Sequence, residues 1–183
     1  MSTEKPASPV RFPALMRVLH WLLAALLLSM LFIGVSMVSS LAAYHRLLAI
    51  HRPLGITVLV LAIVRLVNRK LSTLPPFPVT MSARERRVAS LSELLLYGLM
   101  IGLPLVGWGM LSAGNYPIVM CGSLHLPAIL PASPLLYSVL RRAHTVLAYL
   151  LFFAFLGHLS AVLFHTLILR DGLLKRMASW RKR

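Results

Sequence analysis

Apolar side chains come in four long runs, about 15–38, 47–67, 91–112 and 140–169, built mostly from Leu, Val, Ala, Ile, Met and Phe. Each is near or above the roughly 20 residues a helix needs to cross a hydrocarbon layer. The first run is much longer than the apolar part of a signal peptide, and no small-x-small site with a soluble domain follows it, so it is expected to stay as a helix. A short polar turn separates the first two runs. A Pro-rich basic connection, Leu74-Pro75-Pro76-Phe77-Pro78 to Arg87, separates the next two. The third connection, about 113–139, is itself apolar and interrupted by Pro117, Pro127, Pro131 and Pro134. It is too apolar for a free loop and too broken for a fifth span, which predicts a short helix or cap on the membrane surface. Backbone polar groups in lipid must be satisfied within the segment, so the pattern predicts an all-α fold. The expected architecture is an integral membrane four-helix bundle, one domain over 1–183.

Composition sharpens this. With 58% hydrophobic and 13% charged residues and a mean hydropathy of +0.82, an ordinary soluble domain is excluded. A net charge of +15 would suggest nucleic acid in a soluble chain, but here its distribution gives it another meaning, and no nucleic-acid partner is expected. Fourteen of the nineteen Lys and Arg lie in the N-terminal segment, the second connection and the basic tail 170–183. Four, Arg46, Arg52, Arg141 and Arg142, lie on the other side, and Arg65 falls inside a span. By the positive-inside rule both termini are expected in the cytoplasm. The single cysteine, Cys121, excludes an internal disulfide and any multi-thiolate metal site, leaving seven histidines for cofactor chemistry.

Ionisable residues inside spans usually mark function. His144 and His158 lie 14 residues apart on the fourth helix, which is about 21 Å along the axis and nearly the same face. His51, early in the second helix, is level with His144, and His20, early in the first, is level with His158. Two cross-helix pairs at two depths predict two haems, each with an imidazole on either face of the iron. With both axial positions filled, electron transfer is the expected role. His45, in the outer turn, and His125, in the long connection, are read as ordinary polar residues. His165 shares the His158 face about 10 Å deeper and is the second candidate for the inner site. A haem-free metal or proton transporter is disfavoured because the spans lack carboxylate co-ligands; only Glu93 approaches one, as a proton relay or a helix-capping residue.

Haem propionates need cations. Arg65 is 14 residues after His51 and is assigned to the inner haem. Arg17 shares the His20 face, and Arg52, Arg141 and Arg142 flank the outer pair, as propionate contacts or interfacial anchors. Gly55, one turn after His51, is expected to let a flat macrocycle approach the backbone; Gly34, Gly98, Gly102 and Gly107 do likewise or allow close packing. Trp21 and Trp180 read as interface anchors and Pro104 as a kink in the third helix. The cap over the outer haem could shelter a quinone or serve packing alone.

These residues resemble a family. Arg17-Val18-Leu19-His20-Trp21, His51-x-x-x-Gly55 with Arg65-Leu66 and Arg69, Tyr97 through Pro104 and Gly107, and His144 with Gly157-His158 look like a bacterial-type cytochrome b561. The wider group includes the di-haem cytochrome b subunits of hydrogenases and formate dehydrogenases. The resemblance covers about Arg11 to Met177. It implies two non-covalent b-type haems, His20 with His158 and His51 with His144 as iron ligands, and a multi-pass protein of the bacterial inner membrane. Relatives often carry a histidine where this chain has Glu93. Some members resemble a superoxide oxidase, a superoxide:ubiquinone oxidoreductase, and Arg52, Arg141 and Arg142 would supply the positive outer field. The expected function is electron transfer to or from a quinone, with superoxide as candidate donor. The alternative is a membrane-anchor cytochrome b subunit serving a partner dehydrogenase or hydrogenase.

Overall fold

The computed structural model describes residues 11–78, 81–120, 122 and 124–178. Lys5, Cys121, Trp180, Arg181, Lys182 and Arg183 lie outside them. Four long helices carry the fold, α1 (Ala14–Ser39), α2 (Tyr44–Leu71), α3 (Ala83–Ala113) and α4 (Pro134–Leu163). All four are long and apolar enough to cross a membrane. A π-helical stretch, Phe164–Leu169, extends α4, and a one-turn α5 (Leu173–Ala178) follows.

Local chemistry sets the helix starts. Ser82 and Glu85 form a reciprocal capping box at α3, and Ser133 accepts a hydrogen bond from the Leu136 N–H at α4, with Pro134 pre-set in the first turn. Both devices satisfy N–H groups that a helix start otherwise leaves bare. Two helices start earlier than the apolar runs predict: α3 takes in Arg84, Arg86 and Arg87 ahead of residue 91, and α4 begins at Pro134, ahead of residue 140. A hydropathy window registers the lipid-crossing part of a helix and misses turns that continue beyond it. His45 likewise sits in the first turn of α2 rather than in a connecting turn.

The connection Ser40 to Ala43 is short, so α1 and α2 pack as antiparallel neighbours. Successive helices α2, α3 and α4 pack in turn. One cluster draws from all four: Leu23 and Leu27, Val58 and Ala62, Tyr97, Leu99 and Met100, and Leu151. Leu151 is seven residues from both His144 and His158, and Val58 is seven from His51 and Arg65. The tight apolar layer therefore lies midway between the two histidine levels. Most other large apolar side chains, Phe32, Val60, Leu94 and Phe153 among them, point outward, as lipid-facing positions must.

The long third connection is not a surface helix. It forms an antiparallel hairpin, β1 (Ile118–Met120) with β2 (Leu124–Leu126), in register Ile118↔Leu126 and Met120↔Leu124. Pro117 and Pro127 flank the strands, where their missing N–H costs no ladder bond, and Gly122 turns the chain at φ +80°. The hairpin end is held down by Trp108, whose indole donates to the Pro127 carbonyl at 3.0 Å, and by the Ser112 hydroxyl, which accepts from the Ile129 N–H at 3.2 Å.

The opposite end gathers both terminal segments and the Pro-rich connection. The Phe12 N–H donates to the Arg176 carbonyl (3.3 Å), the Trp21 indole to the Met177 carbonyl (3.2 Å), and the Arg176 guanidinium to the Pro76 carbonyl (2.8 Å). Trp21 thus anchors the tail as well as facing the interface. Trp21→Phe keeps the apolar contact and removes the bond across 156 residues. Trypsin is expected to cut after Lys175 or Arg176 several-fold faster in this variant than in the parent chain, measured by limited proteolysis.

Candidate functional site

Each long helix brings one residue to each of two levels, because a 14-residue step is nearly four turns and returns to the same face. On α1 the pair is His20 and Gly34, on α2 His51 and Arg65, on α3 Glu93 and Gly107, and on α4 His144 and His158. Antiparallel packing puts His51 and His144 together near the hairpin end, their ring centroids 6.3 Å apart and planes at 70°. It puts His20 and His158 together near the terminal end, 6.4 Å apart at 65°. The expected pairing is the pairing found in space.

The spacing can be tested against a bridging metal. A metal–imidazole bond is about 2 Å and the ring centre lies roughly 1.1 Å behind its nitrogen, so two imidazoles on opposite sides of one ion stand about 6.2 Å apart. Both pairs match. Among the described residues no group of three or more His, Cys, Asp or Glu gathers as a metal cluster, so each pair offers two imidazole ligands and no third protein ligand of these types. That donor set suits an ion whose remaining positions are supplied by a macrocycle.

Cations accompany both levels. Arg65 is close enough to His20 and His158 to interact electrostatically with both rings. Its guanidinium carbon lies 5.3 Å from the Tyr97 ring centre, a cation–π distance. Arg52, next to His51, donates to the Pro117 carbonyl at 3.4 Å. The Nε atoms of Arg65 and Arg52 are buried with no hydrogen-bond partner, as are the Nδ1 atoms of His20, His51 and His144. Buried donors left unpaired cost roughly 1–3 kcal/mol each. One such guanidinium at each level is what two carboxylate-bearing groups would satisfy, so the residues present fit haem. Arg17 is partly buried one turn from His20. Arg141 and Arg142 are exposed, Arg141 donating to the Tyr137 hydroxyl at 3.1 Å.

The remaining candidates separate clearly. His165 lies in the π-helical stretch, where its Nδ1 is paired with the Asp171 carboxylate; that side chain already has a partner. His45 stacks edge-on against Tyr44, and His125 lies in β2 opposite Val119. Glu93 does not cap α3, a task Glu85 performs; its two oxygens instead accept from Nε and Nη2 of Arg69. The pair is about a third exposed at both ends, so it adds little stability, but it neutralises Arg69 one turn from Arg65. The space beside Gly55 is bordered by the Met30 methyl, 3.7 Å from where a Cβ would stand. Two contacts escape a reading of the helices one at a time, Tyr97 beneath Arg65 and Gly107 against His144. The same 14-residue step, applied to α3, points to Gly107.

Residues 11–180 match the family model described as prokaryotic cytochrome b561. Cytochrome b561 homolog 2 of Escherichia coli (strain K12) is 28% identical over 174 residues, 93% of this chain and 92% of that protein. Cytochrome b561 homolog 1 of the same strain is 29% identical over 132 residues, 72% of this chain and 74% of that protein. Four apolar helices, paired intramembrane histidines and a match over nearly the whole chain converge: this chain belongs to the prokaryotic cytochrome b561 family, multi-pass haem b proteins of the bacterial inner membrane that serve electron transfer.

Proposed function

We propose that the chain is a di-haem cytochrome that moves electrons between a quinone and a second redox partner, with superoxide as the donor at the hairpin end. The observation that carries the reading is the pair of histidine couples, 6.3 and 6.4 Å between rings, on either side of the Leu23–Val58–Leu151 layer. His51 and His144 would hold one haem and His20 and His158 the other. Haem supplies a reversible one-electron couple when bound, and two in one chain match the two-electron demand of a quinone.

The residues do the rest. With an imidazole pair at each level as ligands, a bound haem iron would have no position left for oxygen to bind. Arg65 and Arg52 offer their unpaired Nε groups to propionates, with Arg17 in support of the inner level. The apolar layer keeps water out between the levels. By the positive-inside rule the terminal end would face the cytoplasm and the hairpin end the outside. There Arg52, Arg141 and Arg142 make a positive field that attracts an anion and repels cations. Two superoxide ions surrender one electron each and leave as dioxygen; one quinone takes up two electrons and two protons and leaves as quinol. The hairpin cleft, about 360 Å³ and lined by Trp108, Asn115, Tyr116 and Pro117 among others, adjoins the His51–His144 level and is assigned to the quinone ring.

The test is a reduced-minus-oxidised spectrum, with haem content per chain, followed by rapid mixing of the oxidised protein with superoxide. Two b-type haems per chain are expected, reduced at a rate that falls as ionic strength rises. Absence of b-type bands overturns the haem assignment. Slow, salt-independent reduction by superoxide favours the other reading, a membrane anchor that takes electrons from a soluble dehydrogenase or hydrogenase.

A further inference from the structure

We propose that Gly107 is a positioning residue for the histidine level at the hairpin end: the absence of a side chain there gives the His144 imidazole its place opposite His51. The inference rests on the di-haem reading above. A Cβ built on Gly107 would stand 3.1 Å from Cε1 and 3.3 Å from Nδ1 of His144, inside the ~3.5–4.0 Å at which carbon atoms rest in contact. The Nδ1–Cε1 edge of the ring therefore lies against the α3 backbone at Gly107, and its centroid is 6.3 Å from that of His51. A side chain at 107 would displace the imidazole or rotate it about its χ angles. Either movement disturbs a couple whose spacing has little room to change.

The other helical glycines do not share this contact. A Cβ on Gly34, Gly98, Gly102 or Gly157 would meet nothing within 4 Å, and one on Gly109 would meet the far end of the Leu130 side chain. Among the described glycines, Gly107 alone abuts a histidine. The two levels also differ, since α3 presents Gly107 to one and Glu93, 14 residues earlier, to the other. The effect of substitution at 107 should therefore be confined to one haem.

The experiment compares the purified, haem-loaded parent protein with Gly107→Ala, Gly107→Val and the outward-facing control Val60→Ala, reading haem content and the low-spin electron paramagnetic resonance signals, which would report how the histidine rings are oriented. Gly107→Ala is expected to keep two haems and shift one low-spin signal, the one that His144→Ala abolishes. Gly107→Val is expected to lower haem content from two per chain to one, leaving the other signal unmoved. Val60→Ala should match the parent. Two haems with both signals unchanged in Gly107→Val overturn the inference, and so does a Gly107→Ala variant unchanged in both signals beside a Gly107→Val variant that loses both haems. A parent protein without b-type bands overturns the di-haem reading itself, which keeps the two failures apart.

Discussion

On the di-haem reading, His51→Ala and His144→Ala are each expected to leave a chain with one haem, the same haem in both, and His20→Ala and His158→Ala are expected to leave the complementary one. The expectation follows from the two cross-helix couples at 6.3 and 6.4 Å: removing either ring leaves its partner with no second axial bond across the site. The double variant His51→Ala/His144→Ala should lose no more than either single change, because groups that act through one shared interaction are not additive. Haem content by pyridine haemochrome and the surviving low-spin signal decide the matter. If His51→Ala and His158→Ala left the same haem, the pairing would be wrong. His165→Ala is expected to keep both haems, since its ring is engaged by Asp171 at the end of the π-helical stretch. An empty inner site in His165→Ala with His158→Ala intact would reverse the assignment.

Much of this site was legible in the sequence because the rule connecting it to space is a single helical period. A 14-residue step fixes depth and face together, so His144 with His158 and His51 with Arg65 could be placed before any coordinates. The same regularity explains what stayed hidden. Hydropathy marks where lipid begins and ends but not where a helix does, so Arg84 and His45 fall outside the apolar runs although backbone bonding, and at α3 the Ser82 cap, carries the helices past them. The hairpin was read as a cap of unspecified or helical form, because strands of three residues leave too short a pattern for a two-residue period to show. Contacts between helices were the least visible class. Nothing in α2 alone places Tyr97 beneath Arg65, and nothing in α4 alone says that His144 rests on a glycine backbone. Glu93 shows the same limit from the other side: it looked like an isolated acid near a span, and it is the partner of Arg69, which had been counted only as a topology marker.

Arg65→Leu is expected to act in opposite directions on the haem-free and haem-loaded protein. An arginine inside a span carries an insertion cost that reaches about 2.5–3.5 kcal/mol at the helix centre and falls toward the helix end, and the Nε of Arg65 has no hydrogen-bond partner in the described structure. Removing it should leave the haem-free chain as stable as the parent or more so. The loaded protein should lose a charge-assisted bond to a propionate of about 1.5–3 kcal/mol, a drop of roughly 10- to 150-fold in affinity at the inner site. The potential should fall as well, because the oxidised haem carries one more positive charge than the reduced one and is relieved when a neighbouring cation goes. The fall should be about 59 mV for each tenfold change in the oxidised-to-reduced affinity ratio. Arg65→Lys keeps the charge without the planar fork, so its potential should stay nearer the parent than that of Arg65→Leu. Tyr97→Leu supplies the decisive contrast. It removes the ring 5.3 Å from the guanidinium and leaves the cation, so it should disturb packing while sparing the inner midpoint. If redox titration gives Arg65→Leu and Tyr97→Leu the same midpoint as the parent, Arg65 serves the bundle through its contact with Tyr97 and the inner propionate is held elsewhere.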